Sequence, residues 1–503
     1  MIDTLHRFLV DYDMAMLRAL AENLGMMLDT NRQTEAADQM AALLAEPSTV
    51  QIALARLSGD GRSALDRLLA AGGRMRAPQF NRQFGQVRPV GPGRLEREVA
   101  WRHPANPAEE LLYAGLIYRA FYHDERGPGE FVVIPAELRS LLPQPPVETP
   151  AFAVAAVPGP PEPPAQEPTL VNDLFLYLVY LHNRDVRPYA DGRLGRRDTA
   201  ALVQRLGRPA ERRLALTHHL ALRLGFVARR DDLLRPESAA VRGWLTAAPA
   251  RQLAALQTAW RDDPTWPDLC HVPGLACDLQ TGWLERTDPV GTRKVLLSWL
   301  AHCPPEAWWP CASFVAAAKA ADPDFQRPDG DYDSWYIRDA AGDAYLSGYE
   351  SWDRVEGALI ADLLAGPLRW LGVIDTARSS PRPEGDSGLL CRLTAAGAHW
   401  LGLVAAEIQA VTPAPIAVGP DLLVHVPPST GLYVRFQLER FADLEQSEPC
   451  RYRLTAAGLS RALARGVQVE QVLAFLKRAG QRPVPATVAG QLRQWARRGG
   501  GAG

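Results

Sequence analysis

The residues of this chain best suited to chemistry are its arginines. Between Arg184 and Arg235 there are thirteen arginines and six acids, a local excess of seven positive charges. Such an excess suits phosphate. Periodicity puts Arg212, Arg213, His218 and Arg223 on one helix, Glu211–Leu224, and Arg229 and Arg230 at the tip of a hairpin whose arms are Phe226-Val227-Ala228 and Leu233-Leu234. A helix of that kind can enter a groove and a hairpin tip can meet phosphates, so these six are candidate DNA-binding residues. The alternative is a solvated surface whose arginines pair with the neighbouring acids.

A second basic stretch runs from Arg451 to Arg498, with ten basic residues and Glu470 as its lone acid. It adds Arg461, Arg465, Lys477 and Arg478 as candidates for phosphate contact. Cys270-His271, Cys277, His302-Cys303 and Cys311 are the best metal-ligand candidates, because thiolates and imidazoles could converge there. Their spacings of seven and eight are not those of a zinc knuckle, so satisfied core thiols are the expected state and zinc on Cys270, Cys277, Cys303 and Cys311 the alternative. Asp329, Asp331 and Asp333 imitate the start of a calcium loop, but Ser334 and Ala340 stand where glycine and a bidentate Glu are needed. An acidic solvated loop is the better account.

Other chemistry is missing. The three lysines, Lys294, Lys319 and Lys477, follow Arg293, Ala318 and Leu476, so no phosphate-binding loop of the Gly-Lys-Ser/Thr kind exists. No GxGxxG opens a helix, and neither HExxH nor GxSxG occurs. No cofactor is expected. With 55 Lys+Arg against 57 Asp+Glu the net charge is -2, so any anion-binding surface must be local. Six cysteines with no CxxC pair suit a reduced compartment, and the start of the chain has no apolar leader, so a cytoplasmic protein without membrane contact is expected.

The 503 residues are enough for several domains. Ten prolines in the 26 positions from Pro143 to Pro168 predict an extended linker. Weaker breaks give segments 1–142, 143–168, 169–290, 291–410 and 411–503. Val171–His182, Thr199–Leu206 opened by the cap-like Asp198, and Glu211–Leu224 read as helices before Gly225 and the hairpin. Three helices and a two-stranded wing are the winged-helix order. Segment 291–410 repeats it with Arg293–Ala301, Cys311–Ala321, Trp352–Leu371 and a hairpin ending at Leu393, around an acidic, aromatic insertion of about thirty residues. Segment 1–142, with Phe131–Ile134 as a wing strand, reads as a degenerate version. Arg392-Leu393-Thr394-Ala395-Ala396-Gly397 recurs as Arg453-Leu454-Thr455-Ala456-Ala457-Gly458, each at a strand-to-helix step. The fold class is therefore mainly α with small β-hairpins, an α+β array of winged-helix-like modules.

From Ala414 onward, Pro415-Ile416-Ala417-Val418-Gly419-Pro420-Asp421 leads to Arg440-Phe441-Ala442-Asp443-Leu444-Glu445. Tyr452-Arg453-Leu454-Thr455, Gly458-Leu459 and Pro483-Val484-Pro485 follow in order. This stretch of about eighty residues resembles the N-terminal domain of XPB-type DNA repair helicases, also met as a helicase-associated domain in stand-alone bacterial proteins. The resemblance implies an accessory α+β domain with no catalytic residue, working through DNA and partner contacts in repair or transcription. No motor of the helicase kind is expected within this sequence. The reading that unites these observations is a non-enzymatic helicase-associated protein that binds DNA, or a DNA-processing motor supplied in trans, or both. A protein-protein adaptor whose winged helices do not touch DNA is the alternative, and a nuclease using the acidic loop comes third, lacking any arranged base. The purified chain is expected to hydrolyse no ATP with or without DNA. DNA-stimulated turnover that follows the protein through several columns and vanishes on one internal substitution would contradict this.

Overall fold

The computed structural model describes residues 4–124, 127–143, 152–160, 169–206, 211–277, 287–327, 330–342, 344–379, 388–405, 413–446 and 449–499. The chain is mainly helical, about 53%, with small antiparallel sheets, as the sequence leads one to expect. Two compact units result. The first comprises Met1–Phe152 with Ala318–Ile337 and Tyr345–Ser351; the second comprises Ala153–Ala317, Arg338–Ala344 and Trp352–Gly503. The first passage between them falls at Phe152, inside the proline-rich segment. Of that segment 144–151 and 161–168 lie outside the described residues, while Val157 N–H donates to the Trp308 carbonyl at 2.8 Å within the second unit.

One strand arrangement recurs along the chain. In the first unit Arg74–Arg76 pairs with Gly127–Val133, which pairs with Tyr118–Asp124. In the second unit Trp308–Pro310 pairs with Leu389–Leu393, which pairs with Ile374–Arg378. Near the C-terminus Leu423–His425 pairs with Arg451–Leu454, which pairs with Ala442–Gln446. Each time a short strand precedes one or more helices and a hairpin, and the hairpin's second strand lies between that strand and its first; the C-terminal sheet adds Ala417–Val418 beside Leu423–His425. Residues 186–236 show the arrangement in reduced form, since Val186 bridges to Leu234 beside the hairpin of Val227–Arg230 and Leu233–Pro236.

The turn into each of the first three hairpins has one cause. Gly115, Gly225 and Gly372 have φ of 69°, 66° and 65°, the left-handed region that glycine enters without penalty. The next amide reaches back to close the helix: Leu116 to the Leu111 carbonyl, Phe226 to Ala221 and Val373 to Leu368, at 3.1, 2.9 and 2.8 Å. This is the glycine helix stop that satisfies otherwise orphaned carbonyls. An apolar pair follows each glycine, Leu116-Ile117, Phe226-Val227 and Val373-Ile374, and all six are buried.

The hexapeptide echo has a second cause. Thr394 and Thr455 cap the helices Ala395–Trp400 and Ala456–Ala464 by accepting from Gly397 and Gly458 N–H. Both glycines also press on the carbonyl that precedes the hairpin, Val373 and Phe441 respectively, where a Cβ would lie 2.1 and 2.6 Å from the oxygen. The repeated sequence is thus a repeated clasp between a strand exit and a hairpin entry.

Some expected boundaries differ. The helix expected at Thr199–Leu206 runs Arg196–Arg205 with Gly195 as its cap, and Asp198 sits inside it, accepting from Tyr180 Oη at 2.7 Å. The single helix expected at Trp352–Leu371 is divided: Ala358–Ala365 ends at Gly366, and Pro367, which has no N–H to give, opens Pro367–Trp370. The insertion is counted largely with the first unit. There Arg82 is bonded to Asp324 at 2.5 Å and lies over the Tyr349 ring at 4.6 Å, while Arg327 lies between Tyr332 and Trp335 at 4.8 and 4.6 Å. Tyr332 and Trp335 are buried and serve packing, while Tyr336 and Tyr345 are exposed.

The clasp yields a stability prediction. Gly397→Ala and Gly458→Ala are each expected to destabilise by roughly 2 kcal/mol or more, because backbone must move to admit the methyl. Gly243→Ala, in the helix Ser238–Thr246 with open space at that position, is expected to be neutral or slightly stabilising. Urea unfolding of the three variants measures the difference.

Candidate nucleic-acid interface

The helix Glu211–Arg223 does not present the expected row of arginines. Arg213 is buried and paired with Asp173, an acid that points inward from the apolar helix Leu170–Asn183. Burial pushes the Asp173 carboxyl up to about 6 against the pull of Arg213. Arg212 is paired with Asp362 and lies over the Trp370 ring at 5.8 Å, so its guanidinium is engaged by the helices that follow the insertion. His218 Nε2 bonds the Gly192 carbonyl at 3.0 Å, which makes that nitrogen the donor and leaves Nδ1 to accept from Tyr177 Oη at 2.6 Å. Burial holds its pKa below the usual imidazole range. Arg223 is half exposed, 3.9 Å from Asp263. Arg212, Arg213 and His218 thus each have a partner inside the unit, which a charge count could not see.

Arg293 is what keeps that helix covered. It is fully buried and donates to Asp268 Oδ2 at 2.6 Å and to the carbonyls of Trp260, Asp263 and Trp266 at 2.6, 2.6 and 2.5 Å. The loop so gathered carries Asp263, which is paired with His219 on the same helix. Burial works to raise the Asp263 pKa, yet hydrogen bonds from Thr265 and His219 outweigh it and keep the carboxylate ionised.

The hairpin tip is accessible but balanced. Asp231 and Asp232 both have positive φ, 48° and 60°, as in the tight turns that match strand twist. Arg229 pairs with Asp232 at 2.7 Å, and Arg230 makes a two-pronged pair with Glu237 at 2.7 and 2.8 Å. Both arginines are largely exposed, so a phosphate there would have to displace a carboxylate.

Four of the six sulfurs fall into neighbouring pairs, Cys270 with Cys277 and Cys311 with Cys391. Cys303 Sγ lies 3.7 Å from the Trp299 carbonyl. Among the described residues no three side chains of metal-binding type converge. Asp329 lies outside the described residues, and Asp331 caps its own loop by accepting from the amides of Asp333 and Ser334 at 2.9 and 3.0 Å. No helix among the described residues is long and apolar enough to cross a membrane.

The C-terminal residues are placed differently. Within the second unit, the helix Leu432–Leu438 packs on Leu170–Asn183: Arg435 lies over the Phe175 ring at 4.7 Å, Phe436 meets His182 at 5.3 Å, and Asn183 donates to the Glu439 carbonyl at 3.1 Å. Arg461 pairs with Asp443 at 2.7 Å, while Arg465, at the end of the same helix, is exposed. Lys477 and Arg478 are exposed on the helix Val469–Gly480. Arg235 and Arg440, neither singled out by the sequence pattern, lie within electrostatic reach of Arg465. Only the junction of two distant segments brings them there.

Residues 416–502 match the family described as the helicase conserved C-terminal domain. This supports a helicase-related C-terminal domain on the segment where the resemblance was read. No curated protein matches the chain.

His271 gives this covered region a pH signature. It stacks on Trp266 at 3.8 Å, and burial, then Arg212 and His219, push its pKa down to about 4. Unfolded, the same imidazole titrates near 6.5, so between these values the unfolded chain binds the extra proton and stability is lost as pH falls. His271→Phe, which keeps a ring on Trp266, is expected to lose about 2 kcal/mol less than the parent chain between pH 7.5 and pH 5. Urea midpoints at both pH values measure the difference.

Proposed function

We propose that the chain is a non-enzymatic helicase-associated protein whose recurring modules are winged helices, and that it contacts DNA through backbone phosphates while a motor in another chain supplies the work. The match of residues 416–502 to a helicase domain carries this reading. The repeated strand order, with the last strand between the other two, supports the winged-helix assignment. Exposed Arg229, Arg230, Arg465, Lys477 and Arg478 are the candidate phosphate contacts.

A second reading, the protein-protein adaptor, draws on a particular observation. The Glu211–Arg223 helix, which in a DNA-reading winged helix would enter the major groove, is covered by Asp362, Trp370 and the Asp263 loop. A module covered in this way uses its outer faces only.

Binding to labelled duplex and single-stranded DNA across a salt series separates the two. Under the first reading affinity falls steeply with salt, and Arg229→Ala with Arg230→Ala lowers the slope by about one to two units for every sequence tried, one counterion per lost phosphate contact. Unchanged affinity and slope, with loss of a co-purifying protein, would give that hairpin to the adaptor reading.

A further inference from the structure

Several cations gather at the junction of Leu170–Asn183 with the C-terminal module. Asn183 donates to the Glu439 carbonyl at 3.1 Å, which fixes the next residue, Arg440, beside the end of that helix. Arg235 is held on the neighbouring strand by Asp185 at 2.6 Å, two residues from Asn183, and the Val186–Leu234 bridge aligns the two. Arg461 and Arg465 come from one helix, four residues apart, and so share a face.

Arg235, Arg440 and Arg461 lie within electrostatic reach of Arg465, as does the carboxylate of Asp185. Arg235 is paired with Asp185 and Arg461 with Asp443. Arg440 spends one nitrogen on Gln437 Oε1 at 2.8 Å. Neither Arg440 nor Arg465 has a carboxylate within ion-pair distance among the described residues. The crowding is felt: burial first, and then Arg235, Arg440 and Arg461, depress the Arg465 pKa against the attraction of Asp185.

His182 is the second observation. Its Nε2 is buried and has no hydrogen-bond partner among the described residues, although the ring is fixed against Phe436. Burial, and then Arg440, Arg465 and Arg235, hold the ring neutral with a pKa pushed down to about 4. An unpartnered buried nitrogen beside several cations is a costly arrangement when nothing is bound. An anion with several oxygens would relieve it, accepting from the guanidiniums and from an Nε2–H.

From this geometry we infer that Arg440 and Arg465, with Arg235, Arg461 and His182 around them, form a seat for one or two phosphates of a nucleic-acid backbone. The inference rests on the DNA reading above. It adds where the backbone is gripped: on a seat built jointly by the second and last modules, so that holding DNA and holding those modules together are one event. Phosphate suits the seat better than a lone carboxylate, since guanidiniums arriving from three segments can share its oxygens while a carboxylate offers two.

The test uses the full chain with Arg440→Ala and Arg465→Ala combined, and Arg465→Gln alone as a variant at an exposed position in case the double variant folds poorly. Fluorescence anisotropy with labelled duplex and single-stranded DNA is measured between low and moderate salt. The double variant is expected to bind roughly tenfold or more weakly at low salt and to lose about two units of salt slope; Arg465→Gln is expected to lose about one. If the parent chain binds DNA and Arg465→Gln leaves both affinity and slope unchanged, the seat is wrong while the DNA reading stands. If the parent chain binds no DNA at any salt, both fall together. A hexaglutamate peptide that binds as tightly as DNA, and is lost in the same variants, would overturn the choice of phosphate in favour of an acidic protein partner.

Discussion

A guanidinium with no exposed surface governs the middle of this molecule. Leaving water costs a charged side chain several kcal/mol unless its donors are met, and Arg293 meets that demand with one carboxylate and three backbone carbonyls drawn from the single segment Trp260–Asp268. The indole of Trp260 lies against the same guanidinium at 5.1 Å. A loop that would otherwise wander is thereby gathered around one side chain of the helix Pro289–Leu300. Because Asp263 and Trp266 from that loop both meet His219, the Glu211–Arg223 helix is fixed to it. Truncating Arg293 would take the cation from buried Asp268, leaving it the Trp260 indole N–H, and would remove one donor from each of three carbonyls.

A different economy governs the repeated modules. What recurs is backbone, and the residues that recur with it are those the backbone forces. Glycine is required at 115, 225 and 372 by a positive φ, and at 397 and 458 by a carbonyl too close for a Cβ. Threonine is required at 394 and 455 because a helix starts where a strand ends. The apolar positions between tolerate Leu, Phe, Val or Ile, since volume and burial are all they must satisfy.

The elements were legible in the sequence for ordinary reasons. One-sided periodicity revealed Leu170–Asn183 and Val469–Gly480, and Gly225 before two apolar arms revealed the hairpin. The C-terminal strands Leu423–His425 and Arg451–Leu454 lie within the stretch that carries the resemblance. The candidate site was legible only in part. A count of arginines treats Arg213 and Arg229 alike, yet one is buried on Asp173 and the other is exposed. A signal did exist, because an acid inside an otherwise apolar helix face implies a buried cation somewhere, but it does not say which. Arg440 could not be chosen at all, since its meaning comes from residue 183, more than two hundred positions away.

The insertion has a consequence for the order in which the protein is made. Residues 318–337 and 345–351 belong to the first unit although they are encoded long after Phe152. A ribosome adding about 5–20 residues per second needs roughly ten to forty seconds to travel from the end of the N-terminal stretch to the end of the insertion. For that interval Arg82 has neither Asp324 nor the ring of Tyr349 to meet. The N-terminal stretch, whose core is drawn wholly from residues 5–142, therefore packs on itself first and acquires these contacts only after much of the second unit has emerged.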